Sequence, residues 1–538
     1  MKKPKHINLK LDEIEALLKR VEKGQNQDGD YEIIKSMADT IIFLNQAVNS
    51  KNVSIKRLLK MLFGIKTEKK NKIFKNNNDS DDKDNQPDDQ SDNDKPKDDK
   101  PDKKTKGHGK NGADKYLGAN REFISHQELK HGDSCPLCIK GKVYNLKIPG
   151  VIIKISATAP LQAAIYDVEK LRCNLCGKVF TAKAPGNITG KHYDETAKAM
   201  IAILKYGCGF PWYRMEKLQE SLGIPLPAST QWDKVESAAD LIYPAYDELK
   251  LQAAQGNIIH NDDTTMKVLE LMEENQTKSS KERTGIFTTG IVSILDEEKK
   301  IALFYTGRNH AGENIDSLYQ TRDTKKDPPV QMCDALSRNS SDQFEKILAN
   351  CLTHARRGFV DVSENFPDEC RYVIETLAQV YKTDAITKEQ QMNPDERLEF
   401  HQLYSKPLME ELHLWLNKQI NDKLVEPNSG LGQAVKYMLN HWPELTRFLY
   451  VTGAPLDNNI CEQALKRAIL HRKNALFYKT LHGAYIGDLF MSLIHTCNLM
   501  KTNPFKYLVA LQKNTHALFK NPSQWMPWNY EQAVALEG

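Results

Sequence analysis

The chain has 538 residues, 40% of them apolar and 27% charged, a balance that suits several soluble globular domains and excludes a single small module. No apolar run approaches the roughly 18 residues a spanning helix needs. Asp12, Glu13 and Glu15 also fall where a signal peptide needs apolar residues, so a cytoplasmic protein with no membrane attachment is expected. The net charge of +4 hides a segregation: Asn76 to Gly112 holds eleven Asp, eight Lys and no apolar residue. The remainder is moderately basic, which suits a polyanionic partner.

Residues 1–70 read as helix. Ile34, Met37, Ile41, Leu44, Val48, Ile55, Leu58 and Leu62 recur in alternating steps of three and four, broken only at Lys51, which is the seam of a coiled coil that would pair protomers into a homo-oligomer. Residues 71–116 form an Asp/Lys-rich linker that cannot bury enough apolar surface to offset its ordering entropy, and it is expected to be disordered. Residues 117–190 carry two C-x-x-C turns, Cys135 with Cys138 and Cys173 with Cys176. Four thiolates in such turns close a tetrahedral, structural Zn²⁺ site with no spare ligand position, so a zinc ribbon is expected here.

Residues 191–255 read as helical, with a turn at Leu222-Gly223-Ile224 and a cap at Ser229 or Thr230. Two short helices joined this way fit a helix-turn-helix DNA reader, with Gln231, Trp232 and Lys234 near the exposed helix start and Arg214 and Lys217 on the preceding helix. A plain helical hairpin fits nearly as well. From residue 256 the period changes. GNIIHNDDTTMKVLEL, GIFTTGIVSIL and KKIALFYTG read as strands, AGENIDSLYQ as a helix and PPVQMCDAL as a further buried strand. That order matches a ribonuclease-H-like α/β domain, assigned to residues 256–500. The stretch after Ser341 reads as mostly helical, with an insertion at about 365–450 and a helical tail at 501–538. The fold class is therefore multidomain α+β.

Asp262 and Asp334 each end an apolar strand, where a carboxylate stays hydrated and can bind Mg²⁺ or Mn²⁺. Glu462 falls in the first turn of a helix that Asp457 or the neighbouring asparagines can cap. Three such donors together can hold two metal ions roughly 3.5 to 4 Å apart for in-line phosphodiester chemistry. Arg356, Arg357, Lys466, Arg467, Arg472 and Lys473 flank these acids and are candidates for phosphate contacts.

LKMLFGIKTEK, the two C-x-x-C pairs, KYGCGFPWYR, STQW, IIHNDDTTMKVL, QMCDAL, CLTHARRGF, PLDNNICEQALKRAILHRKNALF, NPFKYLVAL and WMPWNY together resemble the transposases of the insertion-sequence 66 family, over nearly the whole chain. The resemblance implies an Asp-Asp-Glu catalytic triad, which carries over to Asp262, Asp334 and Glu462. Where the family reads Asp-Glu-Thr, this chain has Asp262-Asp263-Thr264, and Asp262 is taken as the ligand. A literal Asp194-Glu195-Thr196 upstream follows no strand and reads as a helix cap. After the second acid, Ala335-Leu336-Ser337 stands where many relatives carry Gly and Tyr. Cys351-Leu352-Thr353-His354 resembles a Cys-x-x-His element of several transposase families. In it His354 is a candidate to orient a phosphate or metal-bound water, and Cys351 a buried support. No matching pair is evident nearby, so a second zinc site is not expected.

The reading is a DNA transposase, associated with the nucleoid, that binds the terminal inverted repeats of its element and cuts and joins DNA, with helper proteins from the same element as further partners. A catalytically inactive, transposase-derived DNA-binding protein competes with it, and matched inverted repeats flanking the gene would separate the two. A zinc and coiled-coil transcription regulator does not account for the paired strand-end acids.

Overall fold

The computed structural model describes residues 192–537 except 280, 281, 297 and 341. Upstream it describes residues 20–21, 30, 33–35, 130–134, 142–144, 160–167, 169–172 and 179–182. The coiled-coil seam apart from Ile34, the Asp/Lys-rich linker and Cys135, Cys138, Cys173 and Cys176 lie outside the described residues. The segments beside the cysteines are described. Ser134 bridges Lys142 in antiparallel fashion, and β1 (Lys170–Arg172) pairs antiparallel with β2 (Val179–Thr181). In sequence, Cys135 and Cys138 fall between Ser134 and Lys142, and Cys173 and Cys176 between β1 and β2.

The chain divides into two compact units. Among the described residues, the larger holds those from 130 to 354, Thr387–Leu403 and those from 440 to 537, and the smaller those from 20 to 35, Ala355–Ile386 and Tyr404–Leu439. In the larger unit α1 (Glu195–Ala202) starts at Asp194, whose side chain accepts the Ala197 N–H at 2.9 Å and the Thr196 hydroxyl at 2.7 Å. The upstream Asp-Glu-Thr run is thus a cap, as expected. A π-helical turn, Ile203–Gly207, leads towards α2 (Trp212–Ser221). Gly223, at φ +75°, reverses the chain into α3 (Ala228–Ala253). Two expectations fail here. The second helix is not short but 26 residues long, and its N-cap is Pro227 rather than Ser229 or Thr230.

Five strands form one mixed sheet in the order β5-β4-β3-β6-β7. They are β3 (Ile258–Thr265), β4 (Phe287–Ile294), β5 (Lys300–Gly307), β6 (Val330–Cys333) and β7 (Ile347–Asn350). The first three run antiparallel as a meander, and β6 and β7 run parallel to β3. The strand reading of GNIIHNDDTTMKVLEL stops at Thr265, because Leu269–Glu274 turn into a short helix, α4. The helix expected before β6 is α5 (Ala311–Tyr319). β7 falls in the stretch expected to be helical.

α3 and α5 cover one face of the sheet, where Ser293 donates to the Ala253 carbonyl and Asn314 to the Thr289 hydroxyl. The opposite face carries the helix Asn459–Ala475. The apolar core runs through all these layers, from Ile201 in α1 and Val235 in α3 through Ile259, Ile291 and Leu303 in the sheet to Leu511, Trp525 and Ala533 near the C-terminus. The regions read as a separate DNA-binding region and a tail thus share one core with the sheet, because their buried faces pack against it.

The free rim of β5 meets a helix rather than solvent. Thr306, Phe304 and Ala302 donate their backbone N–H groups to Asp488, Ser492 and Thr496, at 2.6, 3.0 and 3.1 Å, and Lys300 donates to the Met500 sulfur at 3.3 Å. Every fourth helical residue advances about 6 Å and every second strand residue about 6.8 Å, so the two ladders stay in step. On the other rim, Arg447 donates to the Leu348 carbonyl at 3.0 Å.

Beyond β7 the chain is helical. α6 (Leu352–Val362) is followed by α7 (Pro367–Glu389), α8 (Pro394–Tyr404), α9 (Lys406–Asn421), α10 (Gly430–Asn440) and α11 (Trp442–Leu445). In the smaller unit Cys370, Val373, Ile374, Leu377 and Val380 form a buried row at helical spacing. Met409, Leu412 and Leu416 form another, and Leu431, Val435 and Met438 a third. α12 (Asn459–Ala475), α13 (Leu481–Leu499), α14 (Pro504–Lys513), α15 (Thr515–Lys520) and α16 (Tyr530–Glu537) complete the larger unit. Among the described residues no helix is long and apolar enough to cross a membrane.

Candidate active site

Asp262 and Asp334 come level through strand register. β3 pairs with β6 as Ile258 with Val330, Ile259 with Gln331 and His260 with Met332. Two residues further on, the same register sets Asp334, just past the end of β6, beside Asp262. Alternation along β3 sends the adjacent aspartates to opposite faces of the sheet. Asp263 points to the α5 face, where its carboxylate lies 2.9 Å from His310 Nδ1 and 3.5 Å from Arg338. Asp262 shares the α12 face with its cross-strand partner Gly290.

Gly290 brings the third acid in. A Cβ at this position would lie 2.9 Å from Cγ of Leu465 in α12, and the Cys461 thiol donates to the Gly290 carbonyl at 3.2 Å. The missing side chain lets the helix carrying Glu462 lie close against the strand opposite Asp262. Asp457 accepts the Asn459 N–H at 3.1 Å at the start of α12. Asn458, the N-cap residue, turns its side chain inwards: Nδ2 donates to the Asn261 carbonyl at 3.0 Å and Oδ1 lies 3.1 Å from His260 Nδ1. Burial pushes His260 down to about 4, so its imidazole is neutral.

A second set of amides holds the other acid. Asn339 donates to Asp334 Oδ1, and the Asn339 carbonyl accepts from Asn261 Nδ2 at 2.8 Å and Gln331 Nε2 at 2.9 Å. Gln331 Nε2 also reaches Asn261 Oδ1 at 2.9 Å. All three elements bearing acids are thus tied to Asn261, the residue before Asp262. Sequence reading missed this network. An asparagine before a helix reads as a cap, and only the burial of Asn261, Gln331, Asn339 and Asn458 distinguishes a strut from a cap.

The cluster's electrostatics follow from its packing. Burial first, then the negative charge of Asp334, pushes Asp262 up to about 7, with Asp263 and Glu462 adding to the rise and the Asp263 N–H, donated at 2.8 Å, opposing it. His354 Nδ1 lies 3.8 Å from Glu462 Oε1, and both atoms are buried without a hydrogen-bond partner. A carboxylate whose proton affinity is raised by burial and by acidic neighbours, beside another with an oxygen left unsatisfied, fits a hard divalent cation with oxygen ligands. Asp262, Asp334 and Glu462 are the acids whose charges meet there.

A family model described as Transposase IS66 family matches residues 190–486, which takes in every residue of this cluster. The chain belongs to the IS66 transposase family. It is similar to the uncharacterized protein y4jD of Sinorhizobium fredii (strain NBRC 101917 / NGR234), at 26% identity over 67% of this chain and 71% of that protein. The uncharacterized protein y4hP of the same organism is 25% identical over 68% of each chain. The IS66 match begins before α1 and ends within α13.

The residues read as DNA contacts separate into groups. Arg214, Lys217, Lys466 and Lys473 are exposed, and Lys234 is half-buried, 5.4 Å from the Tyr193 ring. Gln231 is not at an exposed helix start. It is fully buried and donates to the Trp212 and Leu226 carbonyls, bracing α3 against the α2 region. Arg467 donates to His495 Nδ1 at 3.1 Å and the Gly207 carbonyl at 2.9 Å. Arg472 clasps the end of β3 through Thr265 and Thr264. Arg356 is buried and Arg357 half-buried in the smaller unit. For Gln231, Arg467 and Arg472 the phosphate or base reading gives way to internal hydrogen bonding, because hydrophilic side chains on a helix face that packs are drawn to exposed backbone carbonyls.

Proposed function

We infer that this IS66-family chain is a DNA transposase that binds the inverted ends of its element and cleaves and joins DNA at Asp262, Asp334 and Glu462. The observation that carries the reading is the meeting of these acids' charges at one rim of a mixed sheet, and its meander, crossover helix and parallel strands support a ribonuclease-H-like core. Mg²⁺ or Mn²⁺, when bound by the three carboxylates, supplies the positive charge that activates the attacking oxygen and stabilises the leaving oxygen of a phosphodiester.

The protein's own contribution is to hold these groups still. Asn261, Asn339 and Asn458 fix the elements carrying the acids, and the buried, neutral His260 orients Asn458 without adding charge. Lys466 lies four residues and Lys473 eleven residues after Glu462 on α12, so both fall on its helical face, and both are exposed. A DNA backbone following that face would meet two cations leading away from the acids. The paired segments beside the C-x-x-C turns support a zinc ribbon that grips element ends, and the N-terminal heptads support a coiled coil that holds two protomers, and so two ends, together. Element-encoded helper proteins and association with the nucleoid belong to the same reading.

The test is an in vitro assay with Mg²⁺ on a labelled element end, with a gel shift on the same DNA. Asp262→Asn, Asp334→Asn and Glu462→Gln should each abolish cleavage and strand joining while end binding persists, because the amide keeps the size of the carboxylate and loses its charge. Asp263→Asn should retain more activity than Asp262→Asn. Wild-type cleavage by any of the three removes that residue from the assignment.

A further inference from the structure

Glu462 also faces a different set of donors. The Cys351 sulfur, a ring nitrogen of His354 and a carboxylate oxygen of Glu462 all lie within 4.8 Å of one another. The placement is built into two helix starts. Cys351 immediately precedes α6 and His354 sits three residues later, so the two share one side of its first turn. Glu462 occupies the first turn of α12, and the N–H of its N-cap Asn458 donates to the Cys351 sulfur at 3.3 Å. One hydrogen bond thus ties the two helix starts together.

Between them lies an unsatisfied gap. His354 Nδ1 and Glu462 Oε1 are 3.8 Å apart, too far for a hydrogen bond, and each is buried without a partner. Two unsatisfied buried atoms facing each other are destabilising unless something binds both. Zinc held at 2.0 to 2.3 Å by tetrahedral ligands sets its donor atoms roughly 3.3 to 3.8 Å apart. The nitrogen and oxygen, at 3.8 Å, stand a few tenths of an ångström beyond the roughly 3.3 to 3.5 Å that their own shorter bonds set, and modest rotation about the side-chain bonds closes that gap and brings in the sulfur. A thiolate and an imidazole beside a carboxylate select zinc over magnesium.

We propose that Cys351, His354 and Glu462 form a zinc site distinct from the C-x-x-C turns, and that zinc bound there withdraws Glu462 from the acidic cluster. The sequence disclosed no second Cys or His pair for such a site because the third donor is a glutamate far along the chain. Three protein ligands leave a fourth position for water, and an ion that holds Glu462 there acts as a brake. The binding half of the proposal stands on these donors alone. The inhibitory half rests on the proposed triad.

The experiment counts zinc on the full chain by titration against a chromophoric chelator, then measures Mg²⁺-dependent cleavage as zinc is added. Wild type should bind one more zinc per chain than Cys351→Ser or His354→Gln, whereas Asp262→Asn should keep the extra equivalent. Since Cys351 is fully buried, thermal melting checks the fold of each variant, and the half-exposed His354 carries the test if Cys351→Ser does not fold. Zinc should inhibit wild-type cleavage. His354→Gln, measured against its own zinc-free rate, should need at least the roughly 10- to 100-fold more zinc that losing even an outer partner of a metal site demands. Equal zinc counts in wild type and folded His354→Gln overturn the site. Equal zinc sensitivity with unequal counts overturns the brake. If wild type cleaves no DNA, the proposed function fails while the zinc count still decides the site.

Discussion

Gly290 is the position where helix packing and the acidic cluster meet, and Gly290→Ala tests whether their geometry is coupled. The added methyl would lie 2.9 Å from Leu465 Cγ, 3.0 Å from its Cδ2 and 3.7 Å from the Cys461 sulfur. Carbon atoms in comfortable contact stand about 3.5 to 4.0 Å apart, so Leu465, and α12 with it, must retreat by about 0.6 to 1 Å. Overpacking of this kind costs about 1 to 3 kcal/mol. A displacement near 1 Å at a reacting group lowers turnover by about 100-fold. The expected outcome is a lower unfolding free energy in denaturant titration together with loss of most cleavage at unchanged DNA affinity. Leu465→Ala alone opens a cavity costing about 2 to 5 kcal/mol, but the double variant should be more stable than the sum of the singles, by about 1 kcal/mol or more. Strict additivity, or full activity in Gly290→Ala, would refute the claim that the bare Gly290 face sets the position of Glu462.

The ribbon reading predicts a tightly bound zinc that disappears in Cys135→Ser plus Cys173→Ser, as elemental analysis of purified protein would show; an undiminished zinc content rejects it. The heptad reading predicts that residues 1–70 self-associate and that charged residues at Ile41 and Leu44 abolish this. A monomeric wild-type segment in sedimentation at high concentration would sink it. Burial pushes Asp488 up to about 7, against the two hydrogen bonds Thr306 donates. The folded state then keeps a proton that the unfolded chain gives up near pH 4, so this contribution is full below pH 4 and is lost as pH rises to about 7. Asp488→Asn should therefore gain melting temperature relative to wild type between pH 5 and pH 8, and parallel pH profiles would refute the shift.

The strands were legible where alternating or continuous apolar runs are long. Phe287–Ile294 and Lys300–Gly307 keep such runs for eight residues each and coincide with the sequence reading. Ile347–Asn350 has only four residues after a polar stretch, too short for any period to emerge. The choice between Asp262 and Asp263 was open in sequence, because both are acids at a strand end. Pairing with His310 and Arg338 on the far face separates them. Lys466 and Lys473 remain on the surface as a basic helix suggests, but Gln231 and Arg472 carry the same polar labels and are occupied internally. A linear pattern reports polarity, and only packing reports which polar groups have met a backbone. Gly290 gave no signal of its own, since a glycine inside a strand names no partner until the helix that needs the space is known.

The helix-capped rim of β5 bears on how this protein comes to be made. Thr306 and Asp488 are 182 residues apart in sequence, so at 5 to 20 residues per second a ribosome takes roughly 9 to 36 s to deliver the cap after the strand it covers. During that interval the backbone donors of β5 form an open template on which another nascent chain can lay a strand. Once α13 docks, the opening closes, and Arg447 occupies a carbonyl on the opposite rim. Finished copies are thus denied association by sheet extension along β5, the route most available to unfinished ones.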